Sequence, residues 1–144
     1  MRILALDVGE RRIGLAISDP LGMLASPLGT LEVTDPRQVA LRLQQLVREY
    51  QISELVVGLP LRTDERPSER ADAVRTWAQA VAQELSLPLA LVDERFSTAE
   101  AIAKLRAAGE SAASMRDRLD AAAATIILQT YLDQMQEQRV QRET

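Results

Sequence analysis

The sequence predicts an α/β fold: a mixed sheet of about five strands with helices on both faces. Two patterns predict it. Residues 2–33 contain three strand patterns joined by short turns, which is typical of an antiparallel meander. Beyond them, apolar strands alternate with amphipathic helices, and a strand reached through a helix normally lies parallel to the strand before it.

Short apolar runs bounded by turn residues mark the strands. The first run ends in Asp7-Val8-Gly9, and the short connection at 9–11 predicts a hairpin to the second. The third run is irregular, because Pro27 and Gly29 interrupt it. The predicted strands are residues 2–8, 12–19, 23–33, 54–58 and 89–92.

Capping residues and apolar spacing mark the helices. Asp35-Pro36 is typical of a helix start, with Asp as the N-cap and Pro in the first turn. Ser97 and Glu100 have the spacing of a capping box. Helices are predicted at residues 36–50, 97–109 and about 115–138. A further helix follows a polar loop at 61–67 and ends before Pro88, with one apolar face formed by Ala71, Val74, Ala78, Val81 and Leu85.

Composition restricts the chemistry that is available. A length of 144 residues fits a single domain, 1–144. The chain has no His and no Cys, which excludes His-based triads, thiolate nucleophiles and His/Cys zinc sites. An enzyme of this composition would rely on carboxylates, hydroxyls, Lys/Arg and an oxygen-binding ion, for which Mg²⁺ or Mn²⁺ are the natural candidates.

No export signal and no apolar run of roughly 18 residues is present, so we expect a cytoplasmic protein with no membrane contact. The net charge of −4 argues against a nucleic-acid partner, because phosphate binding normally needs a basic surface. Clustering weakens this objection, since Arg11 and Arg12 are adjacent and Arg62, Arg66 and Arg70 fall within one stretch.

Three acidic residues are the candidates for catalysis and metal binding. Asp7 and Glu94 follow the first and the last strand, and ligands of open α/β sheets bind at such carboxyl ends, where the strand order reverses. The strand between them ends in Gly58, which leaves room for Glu94 to approach Asp7. Asp120 lies on the apolar stripe of the last helix, where a carboxylate is costly unless it is paired or binds metal.

Each acid also has a simpler interpretation. Asp7 before Gly is typical of a turn, Glu94 beside Arg95 of a surface ion pair, and Asp120 of an imperfect helix start. The combination favours chemistry. Two metal ions about 4 Å apart activate a water and stabilise the leaving oxygen in phosphodiester hydrolysis, and clustered carboxylates hold such ions.

Four motifs in order resemble the YqgF/RuvX family, the Holliday-junction-resolvase-like proteins that are also described as pre-16S rRNA nucleases. The opening motif is DVGERRIGLAISD, the middle one VVGLPL and the third DERFSTAEA, and the last begins at Asp120. They lie at Asp7–Asp19, Val56–Leu61, Asp93–Ala101 and Asp120–Gln129.

The resemblance implies a ribonuclease H-like fold, divalent-metal nuclease chemistry, a role in maturing the 5′ end of small-subunit ribosomal RNA, and Asp7, Glu94 and Asp120 as the acidic triad. One departure is the loop at 62–67, which lacks the Asn and Gly that relatives carry there and predicts a difference in specificity. Arg12 and Arg95 are candidates for phosphate binding, with pairing to nearby acids as the alternative.

Other functions stay open. A DNA junction resolvase uses the same site, and it would normally need a two-fold dimer, whereas a monomer favours RNA. Asp7-Val8-Gly9 is also similar to the phosphate loop of actin-like kinases, but those proteins need two such domains. A non-catalytic nucleic-acid-binding protein with the same fold is the third alternative.

Overall fold

The computed structural model describes residues 2–60, 69–93 and 113–143, and of the last range it describes the side chains of 121–142. Eight elements follow one another in these ranges. The strands are β1 (Arg2–Val8), β2 (Arg12–Ser18), β3 (Ala25–Glu32), β4 (Ile52–Leu59) and β5 (Leu89–Asp93). The helices are α1 (Pro36–Tyr50), α2 (Glu69–Leu85) and α3 (Ala113–Glu143).

The five strands form one mixed sheet in the order β3-β2-β1-β4-β5. β1 pairs antiparallel with β2, and β2 with β3, whereas β4 lies parallel to β1 and β5 parallel to β4. The predicted meander and the predicted parallel strands on the other side of β1 are thus both confirmed.

The elements differ from the prediction mainly at their ends. β4 begins earlier because Gln51, in the left-handed conformation with φ 54°, ends α1 and turns the chain directly into the strand. β3 begins later because the Asp19 carboxylate accepts from the backbone N–H groups of Met23 and Leu24 at 2.7 and 3.1 Å, which also lowers its pKa. The predicted helix at 97–109 and the loop at 61–67 lie outside the described residues.

α1 begins as predicted. The Asp35 side chain accepts a hydrogen bond from the backbone N–H of Arg37 at 3.0 Å, and Pro36 is the first helical residue. These contacts fix the point at which the chain leaves the meander and crosses to β4, so that β4 lies beside β1 on the side away from the hairpin.

The two faces of the sheet are covered by different helices. Leu4 and Leu6 of β1 belong to a large core that α1 and α2 complete. Ala5, between them in sequence, points to the other face and belongs to a second core under α3. The second core consists of Ala5, Ala16, Val56, Val92, Ala124, Ile127, Leu128 and Leu132. The described helices therefore lie on both faces, as predicted.

Small side chains let α3 approach the sheet closely. Ala5 of β1, Ala16 of β2 and Ala124 of α3 are all completely buried in the same core. The Gln129 side chain of α3 then joins the end of the β2–β3 connection, because it accepts from the backbone N–H of Ala25 at 2.9 Å and donates to the Met23 carbonyl at 3.1 Å. No helix in these ranges combines the length and apolar character of a membrane span.

Tyr131 attaches α3 to β4 at the amino-terminal end of the sheet. Its hydroxyl donates to Oε1 of Glu54. Burial, followed by the hydrogen bond and the negative charge of Glu54, raises the pKa of Tyr131 to about 12. The contact is thus strongest while the phenol keeps its proton.

The alanine contact predicts a cost for overpacking. Ala124→Leu adds three carbon atoms to a fully buried side chain, and the neighbouring Ala5 and Ala16 have only methyl groups, which cannot rotate away. We therefore expect the free energy of unfolding, measured by urea denaturation, to fall by about 1–3 kcal/mol. Ala80→Leu, at an exposed position of α2, is the control and should change it by less than about 0.5 kcal/mol. Equal effects of the two substitutions would contradict the close approach of α3.

The tyrosine contact predicts a loss of stability at high pH. The pKa of Tyr131 in the folded protein lies above its ordinary value of 10.0, so the folded state binds more protons, and stability present below pH 10 is lost as pH rises toward about 12. Tyr131→Phe should therefore flatten the decline in urea-unfolding free energy between pH 10 and about pH 12. Glu54→Gln should flatten the same decline only in part, because it removes the charge of Glu54 but not the burial of Tyr131. Parallel pH profiles for all three proteins would refute the assignment.

Candidate functional site

The carboxyl ends of β1, β4 and β5 meet at one edge of the sheet, which we call the carboxyl edge. β1 ends there in Asp7-Val8, β4 in Gly58-Leu59 and β5 in Asp93. β1 and β4 are neighbours, and so are β4 and β5, so the three strand ends lie side by side. The predicted switch point beside Asp7 is confirmed, because β2 and β4 are the neighbours of β1 on its two sides and the strand order reverses there.

Asp7 lies between positions that carry no side chain. It pairs across the sheet with Gly14 of β2, and Gly58 of β4 follows Val57, the partner of Leu6. Because side chains alternate along a strand, Asp7 shares with Ala5 the face that α3 covers. The positions next to Asp7 on both neighbouring strands are thus glycines, which carry no side chain toward the carboxylate.

A tight turn holds the strand ends next to Asp7. The backbone N–H of Gly9 donates to the Arg12 carbonyl at 2.9 Å. A Cβ atom on Gly9 would lie 2.7 Å from that oxygen, so a residue with a side chain does not fit without a shift of the backbone. Gly9 therefore has a structural role in this turn. Arg12 is the first residue of β2 and is half-buried.

Arg70 also reaches the carboxyl edge. It lies in the first turn of α2, and its Nη2 atom donates to the Val8 carbonyl at 2.9 Å. Its Nη1 atom lies 3.9 Å from Oε1 of Glu10 in the β1–β2 turn. The sequence showed Arg70 only as one of a cluster of arginines; the signal that singles it out is its place at the start of a crossover helix, which must begin at this edge.

The predicted site residues are described to different extents. Asp7 and Arg12 are described in full, and each makes further contacts. Asp120 lies in α3, directly before the buried Ala121, and its side chain is not described. Glu94 and Arg95 lie outside the described residues. Among the side chains that the structure describes, no group of three or more acidic residues is placed to hold a metal ion, and the convergence of the triad stays a prediction.

A groove of about 700 Å³ opens between β3 and α3. Thr30 of β3 pairs with Gly14, which in turn pairs with Asp7, so the groove lies two strands away from the carboxylate. Its described lining is apolar apart from two threonines: Pro27, Leu28, Gly29, Thr30, Ala121, Ala122, Thr125 and Ile126. The described lining of the groove contains no carboxylate, and the groove is adjacent to the candidate site.

Comparison of the sequence with known proteins identifies the family to which the chain belongs. The RuvX family, described as Holliday junction resolvase, matches residues 1–134. A protein of Roseiflexus sp. (strain RS-1), provisionally named pre-16S rRNA nuclease, is 44% identical over 133 residues, which cover 92% of this chain and 94% of that protein. A protein of Mycobacterium leprae (strain Br4923) with the same provisional name is 47% identical over 135 residues, covering 92% and 73%.

Solved structures agree with the fold. RuvC of Thermus thermophilus superposes with a TM-score of 0.57 at 14% sequence identity, covering 95% of this chain and 97% of that one. The Fowlpox virus resolvase, solved with Holliday junction DNA, gives a TM-score of 0.55 at 10% identity, covering 94% and 99%. These likenesses confirm the ribonuclease H-like fold. With the family match extending from residue 1 to residue 134, this chain belongs to the RuvX family.

Proposed function

We propose that this chain is a divalent-metal-dependent endonuclease that cleaves a phosphodiester bond at the carboxyl edge and processes the 5′ end of precursor 16S rRNA. Membership of the RuvX family supports a phosphodiester-hydrolysing nuclease. The observation that carries the location of the site is Asp7, which stands between Gly14 and Gly58 on the face covered by α3.

The course of α3 supports Asp120 as the second acid. Ile3 of β1 lines a pocket with Leu132, whereas Ala5, two residues on, packs in the core with Ala124 and Ile127. α3 thus runs opposite to β1. Two residues of strand, about 6.7 Å, correspond to about 4.5 residues of helix.

Continuing by this step from Ala5 to Asp7 leads to the part of α3 at roughly residues 120–123. Asp120 is one helical turn before the buried Ala124. This backbone position supports Asp120 as a metal ligand opposite Asp7.

The course of β5 supports Glu94 as the third acid. Val92 pairs with Gly58 and belongs to the core under α3. Glu94 follows Val92 by two residues, which is the spacing at which side chains of one strand share a face. Gly58 lies on β4, which is the strand between β1, where Asp7 lies, and β5, which leads to Glu94. The absence of a side chain at Gly58 favours an approach of the two acids across β4.

The donor set fits a hard divalent ion, Mg²⁺ or Mn²⁺, because it consists of carboxylate oxygens in a chain that has no His and no Cys. When bound, such ions activate a water and stabilise the leaving oxygen. Asp7, Glu94 and Asp120 would hold them, and the glycines beside Asp7 leave space for the phosphate. Arg12 and Arg95 would bind the substrate backbone by charge-assisted hydrogen bonds.

The precursor rRNA is the substrate favoured here, because the relatives at 44% and 47% identity carry the provisional name of pre-16S rRNA nuclease. The family's description supports the second candidate, a four-way DNA junction. We propose further that residues 1–144 form one nuclease domain, that it acts in the cytoplasm, and that it does so as a monomer or homodimer.

Removal of the acids tests the reaction. Asp7→Asn, Glu94→Gln and Asp120→Asn should each lower Mg²⁺- or Mn²⁺-dependent cleavage by more than about 100-fold, since even groups behind metal ligands cost about 10–100-fold. Circular dichroism should show that each variant is folded. The matched control is Asp133→Asn, an exposed acid on α3 far from the carboxyl edge, which should cleave normally. Full activity of Asp7→Asn would remove it from the mechanism.

The substrate is tested by incubating the protein and metal with precursor rRNA and, separately, with a four-way DNA junction. We expect a cut at a defined position in the RNA, and sedimentation should then report a monomer. Symmetric cuts in the junction by a dimer would support the resolvase instead, because paired strands require two related sites. Nucleic-acid binding without cleavage, unchanged in the acid variants, would support a non-catalytic role.

A further inference from the structure

Arg70 occupies a place at the carboxyl edge that the proposed reaction does not use. Its Nη2 atom donates to the carbonyl oxygen of Val8 at 2.9 Å. Val8 directly follows Asp7 in β1, so the bond fixes a positive charge within one residue of the proposed catalytic carboxylate. Its guanidinium is therefore oriented by the backbone that also carries Asp7.

The contacts of the Arg70 guanidinium with described residues use only part of its hydrogen-bonding capacity. It has five N–H donors in a planar fork, and the Val8 carbonyl accepts one of them. Among the described residues its other partner is Glu10, at 3.9 Å, which is longer than a hydrogen bond. The two side chains are 42% and 85% exposed, and such an exposed pair contributes little to stability. A better anion can replace Glu10.

Arg70 approaches the edge from the side opposite to the proposed metal site. α2 packs on the core that contains Leu4 and Leu6, whereas Asp7 shares the α3 face with Ala5. Arg70 is thus not placed to act at the bond that is cut. A nucleic-acid strand that crosses the carboxyl edge at Asp7 would, however, bring a neighbouring phosphate to the α2 side.

We propose that Arg70 binds a backbone phosphate adjacent to the scissile one, and that this phosphate displaces Glu10 from the guanidinium. The proposal rests on the function proposed above. A phosphate offers two oxygens to the arginine fork, a geometry that the single distant Glu10 oxygen does not provide. Glu10 then acts as an occupant of the site in the free protein, and it weakens binding by competing with the substrate.

The experiment measures binding rather than cleavage. Asp7→Asn is the parent protein, a fluorescently labelled precursor-rRNA fragment is the probe, and anisotropy gives the dissociation constant across a series of salt concentrations. Adding Arg70→Gln should weaken binding about tenfold at low salt. It should also reduce the salt dependence, the slope of log K against log[salt], by about 0.7 for a single strand or 0.9 for a duplex, which is the contribution of one phosphate contact.

Arg75→Gln is the matched control. Arg75 lies on the same helix, is 43% exposed and pairs with Asp72 at 3.3 Å, so its loss changes the net charge equally without touching the carboxyl edge. Glu10→Gln gives the opposite test, because removal of the competing carboxylate should tighten binding. Arg70→Lys should keep the salt slope of the parent while losing part of the affinity, since the charge stays and the fork is lost.

The outcomes separate the two proposals. The inference is wrong if Arg70→Gln and Arg75→Gln bind the RNA with the same dissociation constant and the same salt slope. It is also wrong if Arg70→Gln lowers the melting temperature but leaves RNA binding unchanged. In either case Arg70 only attaches α2 to β1. If the parent protein binds neither the precursor-rRNA fragment nor a labelled four-way DNA junction, the proposed nuclease function falls, and this inference with it. Binding by the parent with no change in Glu10→Gln overturns the displacement of Glu10.

Discussion

The close packing of α3 against the sheet is the contact on which the rest of the structure depends. Three alanines, Ala5, Ala16 and Ala124, are fully buried where the helix crosses β1 and β2. Because none of them has a side chain longer than a methyl group, the helix axis lies close to the strands. Bulkier residues further along α3, Ile127 and Leu128, then fill the second core. The direction of α3 relative to β1 follows from this packing, and so does the part of α3 that lies over the carboxyl edge.

Polar contacts fix the same arrangement at the other end of the sheet. Gln129 bonds the end of the β2–β3 connection, and Tyr131 bonds Glu54 of β4. Both residues belong to α3, so the helix is held to strands on either side of β1. At the carboxyl edge, Arg70 attaches the start of α2 to Val8. α3 and α2 thus contact the sheet from opposite faces, and the positions next to Asp7 on both neighbouring strands, Gly14 and Gly58, carry no side chain.

The fold was predictable because its signals are local. Asp35 and Pro36 mark a helix start by capping chemistry, and the alternating pattern of β1 separates Leu4 and Leu6 from Ala5. The ends of β3 and β4 were missed, because they depend on the Asp19 carboxylate and on the left-handed Gln51. The family and its nuclease class follow from ordered motifs. Asp7 at the switch point was predictable from topology, whereas Arg70 was not, since only the assembled crossover brings α2 to Val8.

α3 is 31 residues long, or about 46 Å, and is therefore roughly twice the length of the seven-residue strand β1 that it crosses. The excess lies beyond the amino-terminal end of β1, where Met135 and Arg139 line a pocket with Ile3 and Leu21. The chain has no cysteine. A single thiol introduced at the exposed Gln138 would therefore give a unique attachment point for a dye or a surface, at the end of the sheet opposite to the carboxyl edge. Single-molecule observation of substrate capture is accessible by this route without modifying the carboxyl edge.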